Sequence, residues 1–209
     1  MSRTTWVAFD FDGTLTRRDT LLPFLRFGFG SATVALALAR ESPTLLGYAG
    51  GWVANDVAKQ RLLSRVLCGV DQQALHELGE RFARSVGPGR LRQDVVGRLR
   101  DHLDAGHRCV LVTASLAIYT RPWALSMGFS EVLATNLEFD SRQRATGAFA
   151  GGNCWGPEKA RRLRMLLGDE PLAFAYGDSR GDREMLAMAQ KAHRVGRRRS
   201  PLQHEVMAG

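Results

Sequence analysis

The chain has 209 residues, of which 44% are apolar and 24% charged, the balance of a soluble globular protein with material for one large domain or a core with a smaller inserted one. Its cysteines, Cys68, Cys109 and Cys154, are odd in number, widely spaced and without a CxxC pair, which argues against a disulfide framework and fits a reducing cytoplasm. The formal net charge of +8 admits nucleic acid, anionic lipid or a phosphorylated substrate as partner, but the arginines are dispersed apart from Arg194, Arg197, Arg198 and Arg199, and no zinc-finger or RNA-binding aromatic pattern accompanies them, so no nucleic acid is expected.

A strand begins within six residues of the N-terminus, so no signal peptide is expected and the location reads as cytoplasmic, with a peripheral membrane position as the alternative. Trp6 to Phe9 is too short for a helix and rich in strand formers, which predicts a buried strand. It delivers Asp10 and Asp12 into a turn containing Gly13 and Thr14. Two acids one residue apart at the mouth of a buried strand are costly, because desolvation and mutual repulsion both oppose charging them. A divalent cation removes the conflict, and the pair then offers a chemistry in which one carboxylate attacks an electrophile and the other moves a proton. The plain alternative is a strand-ending turn capped by Asp, with Gly13 at positive φ.

Leu21 to Ala39 is almost wholly apolar apart from Arg26, and Ser42 to Asn55 carries no charge. Neither run reaches the roughly 18 uninterrupted apolar residues that a spanning helix needs. Both read as helices of a small helical unit; the sharper alternative is a greasy surface that rests on a membrane or receives a lipid tail. Asp56 to Gly69 continues at helical spacing, and Asp71 is placed to cap a helix over Gln72 to Ser85. Gly87-Pro88-Gly89 is a breaker and a joint. The expected division is a core of residues 1–15 and 88–209 and a helical cap subdomain of residues 16–87.

Beyond the joint the pattern alternates. Helices are predicted over Leu91–Ala105, Leu116–Met127, Pro157–Leu167 and Arg183–Gln190, and strands over Cys109–Val112, Glu131–Ala134, Leu172–Tyr176 and Ala192–Val195, with a hairpin within Leu137–Phe149. Strands alternating with helices imply an α/β fold, a Rossmann-like parallel sheet core wrapped by helices, with the helical unit inserted. In such a sheet ligands bind beyond the carboxyl ends of the strands. Asp10 and Asp12 stand there after the first strand, Thr113, Ala114 and Ser115 after the second, and Gly177, Asp178, Ser179 and Asp182 after Leu172–Tyr176; Lys159 lies on a helix between the last two sets. The set suits phosphoryl transfer. A carboxylate can attack phosphorus once a metal screens it, and Mg²⁺ fits two or three Asp better than Zn²⁺ does. A hydroxyl and an ammonium would hold the remaining phosphate oxygens. Taken singly, Thr113 could cap a helix, Lys159 could be a solvated lysine and Asp178 a turn residue; their joint placement after strands is what those readings explain poorly.

These residues carry a resemblance. Asp10-Phe-Asp-Gly-Thr-Leu-Thr16 resembles the first motif of the haloacid dehalogenase superfamily in its phosphatase form, DxDGT. Val112-Thr113-Ala114-Ser115 resembles the second motif, Lys159 in Gly156-Pro-Glu-Lys159 the third, and Gly177-Asp178-Ser179-Arg-Gly-Asp182 the fourth, in an order that covers nearly the whole chain. The helical insertion directly after the first motif is similar to the cap of the phosphoserine-phosphatase-like subclass, as are Thr135-Asn136-Leu-Glu-Phe and Gly147-Ala-Phe-Ala-Gly-Gly152. The resemblance implies a Mg²⁺-dependent phosphatase in which Asp10 is the nucleophile and forms an aspartyl-phosphate, and Asp12 protonates the leaving alcohol and then activates water. It implies that Asp10, the backbone carbonyl of Asp12, and Asp178 hold the metal, with Asp182 supporting it, that Thr113 and Lys159 bind the phosphoryl group, and that Thr14 orients the turn.

The match with phosphoserine phosphatase weakens in the cap. That enzyme carries Glu where this chain has Asp19, and a Gly-Gly pair where it has Ala114-Ser115. The apolar cap is instead similar to that of phosphatidylglycerophosphate phosphatases, which act on a lipid head-group phosphate. The expected partner is a small phosphorylated substrate, with a lipid phosphate at a membrane surface and phosphoserine as alternatives. Arg17, Arg18, Asp19, Arg26, Lys59 and Arg61 are the candidates for substrate contact. Two further readings share the sequence: a phosphotransferase with an acceptor other than water, and a non-catalytic membrane-binding module.

Overall fold

A computed structural model describes residues 4–52 and 54–196. Arg197, Arg198 and Arg199 of the basic cluster lie outside the described residues. Six strands form one sheet in the order β4-β3-β2-β1-β5-β6, where β1 is Trp6–Phe9, β2 Arg108–Leu116, β3 Glu131–Phe139, β4 Ala145–Ala150, β5 Leu172–Gly177 and β6 Lys191–Arg194. Every neighbouring pair is parallel except β3 and β4, which form the antiparallel hairpin at the edge. β1 is buried over its whole length and lies between β2 and β5.

Side chains alternate across the sheet with the two-residue period of a strand. Val7 and Phe9 of β1 and Cys109 and Leu111 of β2 face one apolar core, which also holds Val95, Val96 and Leu99 of α6 (Gln93–Asp104). Trp6, Ala8, Val110 and Val112 face the other, against Leu163 and Leu167 of α8 (Pro157–Leu167) and Met185 of α9 (Arg183–Met188). Burial on both faces is why β1 reads as a continuous apolar run. Each large apolar side chain so buried stabilises the fold by about 1.5–3 kcal/mol.

The chain leaves this core after β1 and returns beside its exit. Thr16 bridges antiparallel to Leu91, and the Arg17 and Arg92 backbone N–H groups donate to the carbonyls of Arg90 and Leu15 at 2.8 and 2.9 Å. Gly87-Pro88-Gly89 falls at this seam, where Pro88–Arg90 makes a single 3₁₀ turn. Among the described residues between exit and return lie five helices: α1 (Leu21–Phe29), α2 (Ser31–Arg40), α3 (Ser42–Ala49), α4 (Asn55–Leu67) and α5 (Gln72–Ser85). The Asp71 carboxylate accepts from the Ala74 N–H at 3.2 Å and caps α5 as expected. Among the contacts that fasten the insertion to the core, two leave no room for a side chain. A Cβ on Gly79 of α5 would stand 2.1 Å from the Ile118 carbonyl oxygen, on α7 (Ala117–Ser126), and one on Gly147 of β4 would stand 2.4 Å from Ser64 Cα, on α4.

Three expectations on element boundaries are corrected. Leu21 to Ala39 is two helices, not one, because Gly30 turns the chain at φ 80° and serves as the C-cap of α1 and the N-cap of α2. The second strand runs on through Thr113 to Leu116, so α7 begins at Ala117 and takes Pro122 inside it. The third strand absorbs the first half of the hairpin and reaches Phe139.

Candidate active site

The parallel register brings the strand ends level. Phe9 stands opposite Leu111 on one side and Tyr176 on the other. The Asp10 N–H donates to the Tyr176 carbonyl at 2.9 Å, so Asp10 is fixed beside Gly177 at the end of β5. Its side chain is buried. Thr14 Oγ1 donates to Asp10 Oδ2 at 3.0 Å, and Lys159 Nζ donates to Asp10 Oδ1 at 2.6 Å.

Lys159 is almost fully buried, and the same Nζ donates to Asp182 Oδ1 at 2.6 Å. The start of α8 is brought there by backbone: the Gly156 N–H donates to the Gly181 carbonyl at 3.0 Å. Asp182 spends its other oxygen on its own loop, accepting from the N–H groups of Asp178 and Ser179 at 3.2 and 3.0 Å and from the Ser179 hydroxyl at 3.0 Å. Asp182 therefore shapes the turn that carries Asp178. Burial pulls the Lys159 ammonium down, but the charges of Asp10 and Asp182 outweigh it and hold it above its ordinary range. Burial pushes the Asp10 carboxyl up to about 7; Lys159 opposes this, and the charges of Asp182 and Asp178 add to it.

Asp12 is enclosed by hydroxyls. Ser115 donates to its Oδ2, and Thr20, at the entry to α1, donates to its Oδ1 at 2.8 Å. The Thr20 hydroxyl in turn lies 3.2 Å from the Tyr119 hydroxyl. Burial and the nearby Asp19 push Asp12 up to about 7, against the hydrogen bonds from Ser115 and Thr20. Thr113 does not cap α7; its Oγ1 accepts from the Ser115 N–H at 3.0 Å.

Oxygens of Asp10, Asp178 and Asp182 lie within 4.8 Å of one another. Lys159 pairs with two of these carboxylates, Asp10 and Asp182, and burial opposes the charge of Asp10. Asp10 and Asp178 line the cavity, while Asp182 Oδ2 is turned to its own loop. An all-oxygen set that needs positive charge fits a small, hard divalent cation.

These groups open into a cavity of about 740 Å³. Arg17, Arg18, Asp19, Lys59 and Arg92 line it on the polar side, and Leu21, Leu45, Tyr48 and Leu62 on the apolar side. The structure thus brings Asp10, Asp12, Gly13, Thr113, Ser115, Lys159 and Asp178 together with Asp19 and Lys59. Asp19 also accepts from the Leu21 N–H at 2.8 Å. Lys59 donates to the Ala114 carbonyl and sits 5.6 Å from the centre of the Phe149 ring. Burial pushes its ammonium down to about 8, against the charges of Asp19 and Asp12. Arg26 is not brought in: it is exposed on the last turn of α1, away from the cavity lining. Arg61 is likewise outside, donating to Thr44 Oγ1 at 2.9 Å. Sequence reasoning missed Thr20 and Tyr119 around Asp12, and Arg92, which reaches the cavity from the return strand of the seam. The spacing of Thr20 from Asp12 is the one local signal that was available; Tyr119 and Arg92 are set by tertiary packing.

Fold and site define an α/β enzyme that presents a buried, lysine-paired carboxylate at the end of its central strand. The chain belongs to the haloacid dehalogenase-like hydrolases, whose family model matches residues 7–187. It is 34% identical over 197 residues to Protein CicA of Caulobacter vibrioides, covering 91% of this chain and 86% of that protein. It is similar to a protein of unknown function from Bordetella pertussis Tohama I, with a TM-score of 0.76 and 27% identity over 91% of this chain and 89% of that one. Its fold also matches that of a phosphoserine phosphatase solved as a phospho-aspartyl intermediate analogue, with a TM-score of 0.63 and 15% identity over 91% of this chain and 86% of that one. Among the described residues no helix is long and apolar enough to cross a membrane.

Proposed function

We propose that the protein is a phosphatase that hydrolyses a phosphomonoester through a phosphoryl group carried transiently on Asp10, and that residues 16–87 act as the cap over its site. The observation that carries this reading is the contact of Lys159 Nζ with Asp10 Oδ1 at 2.6 Å, beside Asp178. An ammonium on one carboxylate oxygen orients the other and lowers the charge an incoming phosphate must meet.

In the first step a carboxylate oxygen of Asp10 forms a bond to phosphorus as the ester P–O bond breaks. The leaving alkoxide takes the proton of Asp12, whose carboxyl is held above its ordinary range by burial and by the nearby Asp19. In the second step Asp12 accepts a proton from water as that water attacks phosphorus, freeing inorganic phosphate and restoring Asp10. Ser115 and Thr20 keep Asp12 pointed at the leaving oxygen throughout. Lys159 and Thr113 hold the phosphoryl oxygens. Mg²⁺, held by Asp10, Asp178 and the Asp12 carbonyl, would screen the phosphate from the carboxylates and stabilise the charge of the transition state. Four basic side chains and Asp19 at the cavity mouth favour a small, polar phosphorylated metabolite.

The test is phosphate release with Mg²⁺ from p-nitrophenyl phosphate, phosphoserine, histidinol phosphate, sugar phosphates, nucleotides and short-chain phosphatidylglycerophosphate. One preferred compound, silenced by EDTA and restored by Mg²⁺, with no turnover in a folded Asp10→Asn protein, is the expected result. Full turnover by Asp10→Asn would falsify the mechanism.

A further inference from the structure

Two arginines at the mouth of the catalytic cavity take no part in the reaction steps. Arg17 and Arg18 follow the turn after β1, and the backbone bends at both. In an extended chain two successive side chains point to opposite sides; here both line the one cavity. Arg17 is anchored at the seam, where its Nε donates to the Leu91 carbonyl at 3.1 Å. That bond leaves its two Nη groups for a ligand. The Arg18 side chain makes no hydrogen bond to a described residue.

The other bases of the cavity are committed. Lys159 pairs with Asp10 and Asp182. Arg92 donates to the Gly196 carbonyl at 2.7 Å and pairs with Asp94 at 3.4 Å. Lys59 is turned to the Ala114 carbonyl. Among the described residues Arg17 and Arg18 enter no ion pair. The acid next to them, Asp19, already gives one oxygen to the Leu21 N–H at 2.8 Å. Two unpaired guanidinium groups therefore stand against one partly spent carboxylate, a balance that attracts an anion.

Hydrogen bonding places this pair relative to the chemistry. The Thr16 hydroxyl lies 3.3 Å from Asp12 Oδ1 and 2.9 Å from the Arg18 carbonyl oxygen. Asp12 is the group that hands a proton to the leaving oxygen, so the arginines flank the alcohol part of the substrate. The cavity of about 740 Å³ is in the range of pockets that hold whole drug-sized ligands, roughly 300–1,000 Å³, and has room for more than a phosphoryl group.

We infer that Arg17 and Arg18 form a subsite for a second anionic group, so that the preferred substrate is a phosphomonoester whose alcohol part carries a carboxylate or a second phosphate. The fork of a guanidinium matches either group. This subsite rests on the phosphatase reading of Asp10, and its test is arranged so that the two can fail separately.

The experiment is isothermal titration calorimetry of the full chain, in excess Mg²⁺, with alkylphosphonates of matched length that end in a hydroxyl, an ammonium, a carboxylate or a second phosphonate. Phosphonates are not hydrolysed, so binding is read without turnover. The two anionic ends are expected to bind about tenfold tighter than the hydroxyl, the size of two exposed ion pairs near the top of their usual range, and the tighter of the two names the source of the anion. Arg18→Gln is expected to lower that preference roughly threefold, and Arg17→Gln with Arg18→Gln to abolish it, with circular dichroism checking the fold of each. Equal binding of hydroxyl and anionic ends overturns the subsite and leaves the phosphatase reading standing. So does tightest binding of the ammonium end, which assigns the mouth to Asp19. So does an undiminished preference in the folded Arg18→Gln protein, which assigns the second anion to another base. Failure of every phosphonate to bind overturns the subsite and the phosphatase reading together.

Discussion

A Cβ added to Gly13 would stand 2.2 Å from Asp178 Oδ2, and Gly13 itself sits at φ +84°. The turn after β1 and the loop after β5 therefore touch through a residue that can carry no side chain. Gly13→Ala is expected to strain the turn and push the Asp178 carboxylate away from Asp10, at a cost of about 1–3 kcal/mol in stability. The expected functional signature is a rise in the Mg²⁺ concentration needed for half-maximal turnover, read by metal titration, beyond what the loss of stability accounts for.

Lys159→Met leaves two buried carboxylates, Asp10 and Asp182, without their shared cation. Breaking a buried pair of this kind costs about 3–5 kcal/mol, so the denaturation midpoint should fall sharply. Turnover should fall about a hundredfold or more, because the reacting carboxylate loses the ammonium that orients it and offsets its charge. Lys159→Arg should not restore it, since the fork of a guanidinium cannot sit between both acids where a single Nζ now does. Chemical denaturation and phosphate release check the two halves.

Thr20→Val removes one of the three hydroxyls that donate to Asp12, beside those of Thr16 and Ser115, and leaves the Tyr119 hydroxyl without that partner. The expected loss is about 1 kcal/mol of stability and about tenfold in kcat with little change in KM, as befits a residue that orients the proton donor rather than the substrate. A steady-state series on the preferred phosphomonoester separates the two constants.

His102 is buried against Phe9, with its Nε2 3.0 Å from the Tyr176 hydroxyl and its Nδ1 2.9 Å from His107 Nδ1. Burial, with His107 beside it, pushes its imidazole down to about 4 from an ordinary 6.5. The unfolded chain therefore binds the proton first as pH falls. The stability from a neutral His102 is whole above about pH 6.5, is lost as pH drops towards about 4, and changes no further below that; the swing is at most about 3 kcal/mol. Denaturation midpoints between pH 4 and 7, compared with those of His102→Gln, should diverge only across that window.

Much of the core was legible because its signals are local. β1 is a buried central strand, so it reads as an apolar run, and α5 and α8 carry their own start signals in Asp71 and Pro157. Asp10, Asp12, Asp178 and Lys159 could be named because each stands at a strand end or on the helix leading to one. The break at Gly30 was missed because apolar residues on both sides mask one glycine. The extension of β2 through Thr113 to Leu116 was missed because pairing with β3 resumes at Leu116 and Thr135 after a register shift, which no local pattern announces. Arg26 was named a substrate contact on charge alone, and charge does not say which side of a helix faces the cavity.

The two tight contacts of the insertion, Gly79 on Ile118 and Gly147 on Ser64, divide its five helices unequally. α4 and α5 are riveted to the α/β body at points where no larger residue can intervene, whereas neither rivet involves α1, α2 or α3. Mutational drift can rework α2 and α3, the latter supplying Leu45 and Tyr48 to the cavity, while Phe24 of α1 stays packed on Tyr119 and the rivets keep Lys59 of α4 at its post beside Ala114. Descendants of this chain could thus diversify what they accept without renegotiating how they react.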